Sequence, residues 1–284
     1  MTTNQITDIS GFFTLRNGVK MPYLGLGVYL SKDGQEVTNA VHWALEAGYR
    51  HIDTAAIYRN EKGVGEGIKT SNVSRKDIFV VNKVWNSDQG YEKTLKAFDK
   101  SLKQLQLDYI DLYLVHWPVT GQYKDTWRAL EELYRQKKVR AIGVSNFLKH
   151  QLEDLMESAT IIPMVNQMEF HPYLVQQELI DFCQQHQIQY EAWSPLMQGK
   201  VFDLPELQLL ANKYNKCIAQ IVLRYNLQKG IACIPKSSKR KRIISNADIF
   251  DFELSEADTT YLDDMDRNHR FGPNPDNFEW SYVL

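Results

Sequence analysis

Hydrophobic and polar positions follow two distinct rhythms along this chain. Short β-branched or aromatic runs at residues 23–27, 50–53, 78–83, 110–115, 139–144, 163–168, 188–193 and 231–234 are bounded by polar turns and read as buried parallel strands. Between them, residues 35–47, 90–105, 125–137, 148–157, 175–186 and 217–229 repeat apolar side chains at helical spacing. Each helical stretch is long enough to return the chain to the same edge of a sheet. Eight such alternations predict an α/β fold, a (β/α)8 TIM barrel. No linker or low-complexity stretch divides residues 1–284, so a single barrel domain is expected. Ahead of it, FFTLRNGVKMP sets Asn17-Gly18 between two apolar runs, which predicts an N-terminal β-hairpin plugging the lower end. Behind it, residues 255–266 predict an additional C-terminal helix opened by Ser255, followed by the tail RFGPNPDNFEW.

A doubly wound dinucleotide fold is the rival architecture, but its G-x-G-x-x-G turn between first strand and first helix is missing. Gly25 and Gly27 do not make one, and Gly63, Gly65 and Gly67 fall in a helix start, where packing is the plainer reading. Composition narrows the partners. A net charge of −2 argues against nucleic acid. Cys183, Cys217 and Cys233 lack C-x-x-C spacing, so reduced and buried thiols are expected rather than a zinc site or disulfide framework. The N-terminus is polar and no apolar run approaches the roughly 18 residues of a membrane span, so the chain is expected to be soluble and cytoplasmic.

Three of the strands end in ionisable side chains: Asp53 with Tyr58 just after it, then Lys83, then His116. A parallel barrel brings such strand ends to one face, where an acid, a tyrosine, a lysine and a histidine form a proton-transfer set. Taken singly, each has a structural reading: a turn cap for Asp53, a packing aromatic for Tyr58, a solvated Lys83, a satisfied core imidazole for His116. Metal-assisted hydrolysis is disfavoured, because His116 and His171 lack partners at ligand spacing.

GYRHIDTAAIY, NKVW, DLYLVHWP, RAIGVSNF, NQMEFHP, AWSPL and IPKS together resemble the aldo-keto reductase family in order and interval, across nearly the whole chain. The likeness is nearest to short-loop bacterial and protozoan members described as glyoxal or methylglyoxal reductases and prostaglandin F synthases. It implies NADPH-dependent reduction of aldehydes and α-dicarbonyls, with Asp53, Tyr58, Lys83 and His116 as a catalytic tetrad and no metal. Tyr58 would donate the proton, sharpened as an acid by Lys83, while Asp53 holds that lysine and His116 orients the carbonyl. Ser145, Asn146 and Gln167 match the carboxamide-binding trio, and Trp193 stands where many members stack a tyrosine on the nicotinamide. Ser194 and Leu196 follow it in the cofactor set. Lys236, Ser237, Arg242 and Asn246 match the residues that hold the 2′-phosphate and adenine, although Lys239, Arg240 and Lys241 depart from the usual pattern. Tyr29, Trp85, His116 and Trp117, with Ile57 and C-terminal aromatics, would line an aromatic substrate pocket. The resemblance leaves two further readings open: a prostaglandin F synthase-like ketone or endoperoxide reductase, and a non-catalytic NADPH-sensing barrel. Partners are expected to be a small carbonyl compound alone, with the chain a monomer.

Overall fold

The computed structural model describes residues 6–278. It opens with β1 (Phe12–Thr14) and β2 (Lys20–Pro22), an antiparallel pair joined through Asn17 and Gly18. Gly18 supplies the positive φ of 85° that the tight reversal needs. Asn17 donates from Nδ2 to the carbonyl of Arg140 at 2.9 Å, tying the hairpin to the lower end of the barrel, as expected.

Eight parallel strands follow in sequential order: β3 (Leu26–Gly27), β4 (His51–Asp53), β5 (Phe79–Val84), β6 (Ile110–Val115), β7 (Val139–Ser145), β8 (Val165–Glu169), β9 (Gln189–Trp193) and β10 (Ala232–Cys233). Parallel bridges from Leu24 to Cys233 and from Gly27 to Lys236 join the two ends and close the barrel. The Gly25 amide donates to the Cys233 carbonyl at 2.9 Å across this seam. Every strand from β5 to β8 is buried along its length apart from Arg140, which accounts for the near-continuous apolar runs in the sequence.

The outer ring holds α1 (Gln35–Glu46), α2 (Glu61–Lys69), α3 (Tyr91–Leu105), α4 (Tyr123–Arg135), α5 (Lys149–Met156), α6 (Gln177–Gln185), α7 (Pro205–Tyr214), α8 (Ile218–Gln228), α9 (Arg240–Ala247) and α10 (Glu256–Asp263). Two of these, α7 and α9, were not among the expected helices, and α2 was expected only as a helix start around its glycines. Helix α2 contains Gly63, Gly65 and Gly67, and their role is packing: a Cβ on Gly65 would strike the Leu105 carbonyl, and one on Gly67 would meet Val41 Cβ at 2.8 Å. Helix α10 begins as expected, with Ser255 Oγ accepting from the Asp258 amide at 3.2 Å. Cys183 and Cys233 are buried, but Cys217 is exposed at the head of α8, correcting the expectation of three buried thiols. Glu279 and Trp280 of the tail lie outside the described residues. Among the described residues no helix is long and apolar enough to cross a membrane.

Candidate active site

The C-terminal strand ends assemble one cluster from three consecutive strands. β4 ends in Asp53, β5 carries Lys83 one residue before its end, and His116 follows β6 directly. The short turn after β4 swings Tyr58 back over them. The Lys83 ammonium donates to Asp53 Oδ1 at 2.6 Å, to Asp53 Oδ2 at 2.8 Å and to the Thr54 carbonyl at 3.0 Å, so all three of its hydrogens are used. It lies 5.2 Å from the centroid of the Tyr58 ring, and the Tyr58 and His116 ring centroids are 5.9 Å apart.

Burial dominates the electrostatics here. Desolvation and the Lys83 charge hold His116 well below the usual imidazole range, so its ring is neutral. Tyr58 is shifted well above the ordinary phenol range by desolvation, then by the Asp53 carboxylate. This corrects the expectation that Lys83 makes Tyr58 more acidic. Asp53 grips both sides of the ammonium, so the lysine's positive field at the phenol is largely cancelled. Tyr58 therefore keeps its proton throughout the neutral range.

Several supporting residues escaped the sequence reading. Asn60, fully buried, accepts from Thr54 Oγ1 at 2.8 Å and donates to the carbonyls of Val28 at 2.9 Å and Ser31 at 3.0 Å. It thereby pins the loop bearing Tyr29 to the turn bearing Tyr58. Glu169 receives the Phe271 amide at 2.7 Å and His171 Nε2 at 3.0 Å, anchoring the C-terminal segment across the barrel mouth. Gly272 then passes so close to Trp193 that a Cβ there would strike the indole. Glu191 and His51 form a buried pair beneath Asp53. The available signal was an ionisable residue inside an otherwise apolar strand.

Ser145, Asn146 and Gln167 are buried on adjoining strand ends. Asn146 donates from Nδ2 to the His116 carbonyl at 3.0 Å and accepts the Trp193 indole N–H at 2.9 Å. Ser145 Oγ donates to the Gln167 carbonyl at 3.0 Å. The Gln167 amide donates to Asp53 Oδ2 and Glu191 Oε2, leaving its carbonyl oxygen as the end available to a ligand. Trp193, Ser194 and Leu196 are half-buried at the end of β9. Beyond β10, Ser237 and Asn246 are buried, while Lys236, Lys239, Lys241 and Arg242 are exposed and make no ion pair among the described residues. Arg240 turns away to Glu46 at 3.6 Å. An unpaired cationic rim leading into α9 has the donor chemistry for phosphate.

On the opposite side, aromatic rings wall the opening. Tyr29 packs 5.0 Å from Tyr58, Trp85 lies 5.1 Å from His116, and Phe278 stacks on Trp117 at 4.2 Å between centroids. Tyr29 is 45% exposed and forms the outer lip. Phe278 is the C-terminal aromatic that reaches the wall; Ile57 is half-buried nearby in sequence. Together these surfaces can hold a flat apolar group beside a proton donor and a neutral imidazole.

Residues 24–267 match the sequence model described as the Aldo/keto reductase family. The glyoxal reductase of Bacillus subtilis is 58% identical over 270 residues, spanning 95% of this chain and 98% of its own. A solved aldo-keto reductase from a Medee basin deep-sea metagenome library superposes with a TM-score of 0.92 at 46% identity, covering 94% of this chain and all of its own. The Bombyx mori aldo-keto reductase, solved in complex with NADP, gives a TM-score of 0.87 at 36% identity over 96% of this chain and 97% of its own.

Proposed function

The chain belongs to the aldo/keto reductase family, and from that premise we propose that it uses NADPH to reduce aldehydes and α-dicarbonyls such as glyoxal and methylglyoxal to alcohols. The observation that carries this reading is the dry Asp53–Lys83 pair set beside Tyr58 and a neutral His116. NADPH is supported by the unpaired cations at Lys236 and Arg242, by the half-buried indole of Trp193 at the end of β9, and by the Bombyx mori relative solved with NADP. Small dicarbonyls are supported by the aromatic walls and by the glyoxal reductase of Bacillus subtilis.

When bound, NADPH supplies the hydride. The chain's own work is to receive the carbonyl oxygen and protonate it. Neutral His116 retains one N–H, which orients that oxygen; Tyr58, held protonated, delivers its hydroxyl proton as negative charge develops. Asp53 and Lys83 hold one another in place beside the phenol, with the ammonium 5.2 Å from the Tyr58 ring centroid. Asn60 fixes the turn from which Tyr58 acts. In this reading Ser145, Asn146 and Gln167 hold the carboxamide, Trp193 stacks on the ring with Ser194 and Leu196 beside it, and Lys236, Ser237, Arg242 and Asn246 hold the phosphate and adenine end.

The test follows NADPH absorbance with purified protein and methylglyoxal, with Tyr58→Phe and NADH run in parallel. Consumption by the wild type, preferring NADPH and lost in the variant, is the expected result. If NADPH binds yet no aldehyde, ketone or dicarbonyl in a panel consumes it, a cofactor-sensing barrel becomes the better account.

A further inference from the structure

Beneath the Asp53–Lys83 pair lies a second carboxyl that the proton transfer above does not use. Glu191 on β9 is fully buried and stands next to Gln167 of β8 in the parallel register. Its Oε2 accepts one hydrogen of the Gln167 amide at 2.8 Å, while the other goes to Asp53 Oδ2 at 2.9 Å. Turning that amide over would set its carbonyl oxygen against the Asp53 carboxylate, so the arrangement of charge dictates which end faces down. The remaining Glu191 oxygen, Oε1, faces His51 Nε2 at 3.4 Å, and neither atom has a hydrogen-bond partner. His51 Nδ1 lies 3.4 Å from the Pro22 carbonyl, which places the ring proton on Nδ1 and leaves Nε2 as an acceptor. A single proton on Glu191 Oε1 meets that acceptor and resolves both orphaned atoms. Desolvation favours this state, pushing Glu191 up to about 8 and His51 down to about 4. The other titratable groups facing Glu191 are Asp53, Lys83 and Cys233.

We propose that Glu191, carrying its proton, is a positioning residue that locks the Gln167 amide so that the Gln167 carbonyl oxygen alone is presented to the nicotinamide carboxamide. The same proton leaves Asp53 as the single carboxylate opposing Lys83. The inference rests on the reading that NADPH binds at this mouth.

The experiment titrates NADPH, and separately 2′,5′-ADP, which lacks the nicotinamide, against the intact protein by tryptophan fluorescence. Glu191→Gln preserves both roles, because its carbonyl accepts from Gln167 and its amide donates to His51. Glu191→Leu removes them. The expected result is NADPH binding weakened about five- to ten-fold in Glu191→Leu, the loss of one hydrogen bond, with 2′,5′-ADP unaffected and Glu191→Gln near wild type. Adding Glu191→Leu to Gln167→Ala then produces no further loss. Equal weakening of both ligands, an unaffected Glu191→Leu, or a Glu191→Gln as impaired as the leucine variant overturns the proposal. Should the leucine variant not fold, Glu191→Asp, one methylene short of Gln167, is read with the same two ligands and the same expectations. A wild type that binds 2′,5′-ADP and NADPH equally well removes the nicotinamide contact itself; one that binds neither overturns the NADPH reading first.

Discussion

Inside the barrel, Lys83 is fully buried and gives every ammonium hydrogen to Asp53 or Thr54, whereas Lys236, Lys239, Lys241 and Arg242 stand exposed at the rim without an ion pair among the described residues. The two sets carry the same charge in opposite circumstances. A dry cation is costly unless matched, so the interior one is neutralised by its own fold and serves geometry. Cations in water cost little to leave unmatched, and these remain available to a mobile anion. The contrast separates a region whose charge is satisfied within the fold from one whose charge is left facing water.

The comparison breaks most visibly if the interior pair proves dispensable. Lys83→Met strands Asp53 in the core and is expected to lower unfolding free energy by about 3–5 kcal/mol, read by urea denaturation, together with loss of turnover. A cost below about 1 kcal/mol, as for a surface pair, would end the distinction. Tyr58→Phe tests chemistry without disturbing either set of cations. It should lower kcat by roughly two to four orders of magnitude while NADPH affinity stays at the wild-type value; a matching fall in affinity would contradict its assigned role.

Glu191→Gln sharpens the interior half through pH. A carboxyl raised from an unfolded value near ~4.3 to about 8 in the fold contributes stability that is complete below the unfolded value and is lost as pH rises through the folded one. Unfolding free energy of the wild type relative to the glutamine variant should therefore decline between pH 4.5 and 8.5, and parallel curves would deny the buried neutral carboxyl. Arg242→Ala addresses the rim. NADPH should bind about ten- to a hundred-fold more weakly with NADH unaffected, and added salt should weaken NADPH binding in the wild type more than in the variant. Equal losses for both cofactors would refute the 2′-phosphate contact.

Much of this was legible in the residues. The eight strands lie where apolar β-branched runs placed them, because a doubly covered strand must be apolar on both faces. Asp53, Lys83 and His116 could be grouped because each ends or follows such a run, and parallel topology leaves only one face for strand ends. Helix α2 was legible only as a helix start, because EKGVGEGIK has three glycines where a helix pattern needs side chains; its stability comes from close packing on neighbours that spacing does not display. In α9, the run RKRIISNA reads first as a solvated charged stretch. The direction of the Tyr58 shift was misjudged because it depends first on how far the folded mouth desolvates the phenol, and then on the Asp53 carboxylate beside it. The His51–Glu191–Gln167–Asp53 chain draws one residue from each of β8 and β9 and two from β4, so it exists only once the barrel has closed.

That closure has a weak line of its own. The two shortest barrel strands, Leu26–Gly27 and Ala232–Cys233, meet at the seam, and the flanking bridges at Leu24 and Lys236 complete it. With so few cross-links, this is the place where the ring is expected to breathe first, so amide protons of Gly25, Gly27 and Cys233 should exchange ahead of those in β5 and β6. Lys236 belongs both to that seam and to the cationic rim. A ligand held at the rim is therefore expected to buckle the barrel, lowering the open population of the wall in proportion to its occupancy, which slower exchange of the seam amides would report.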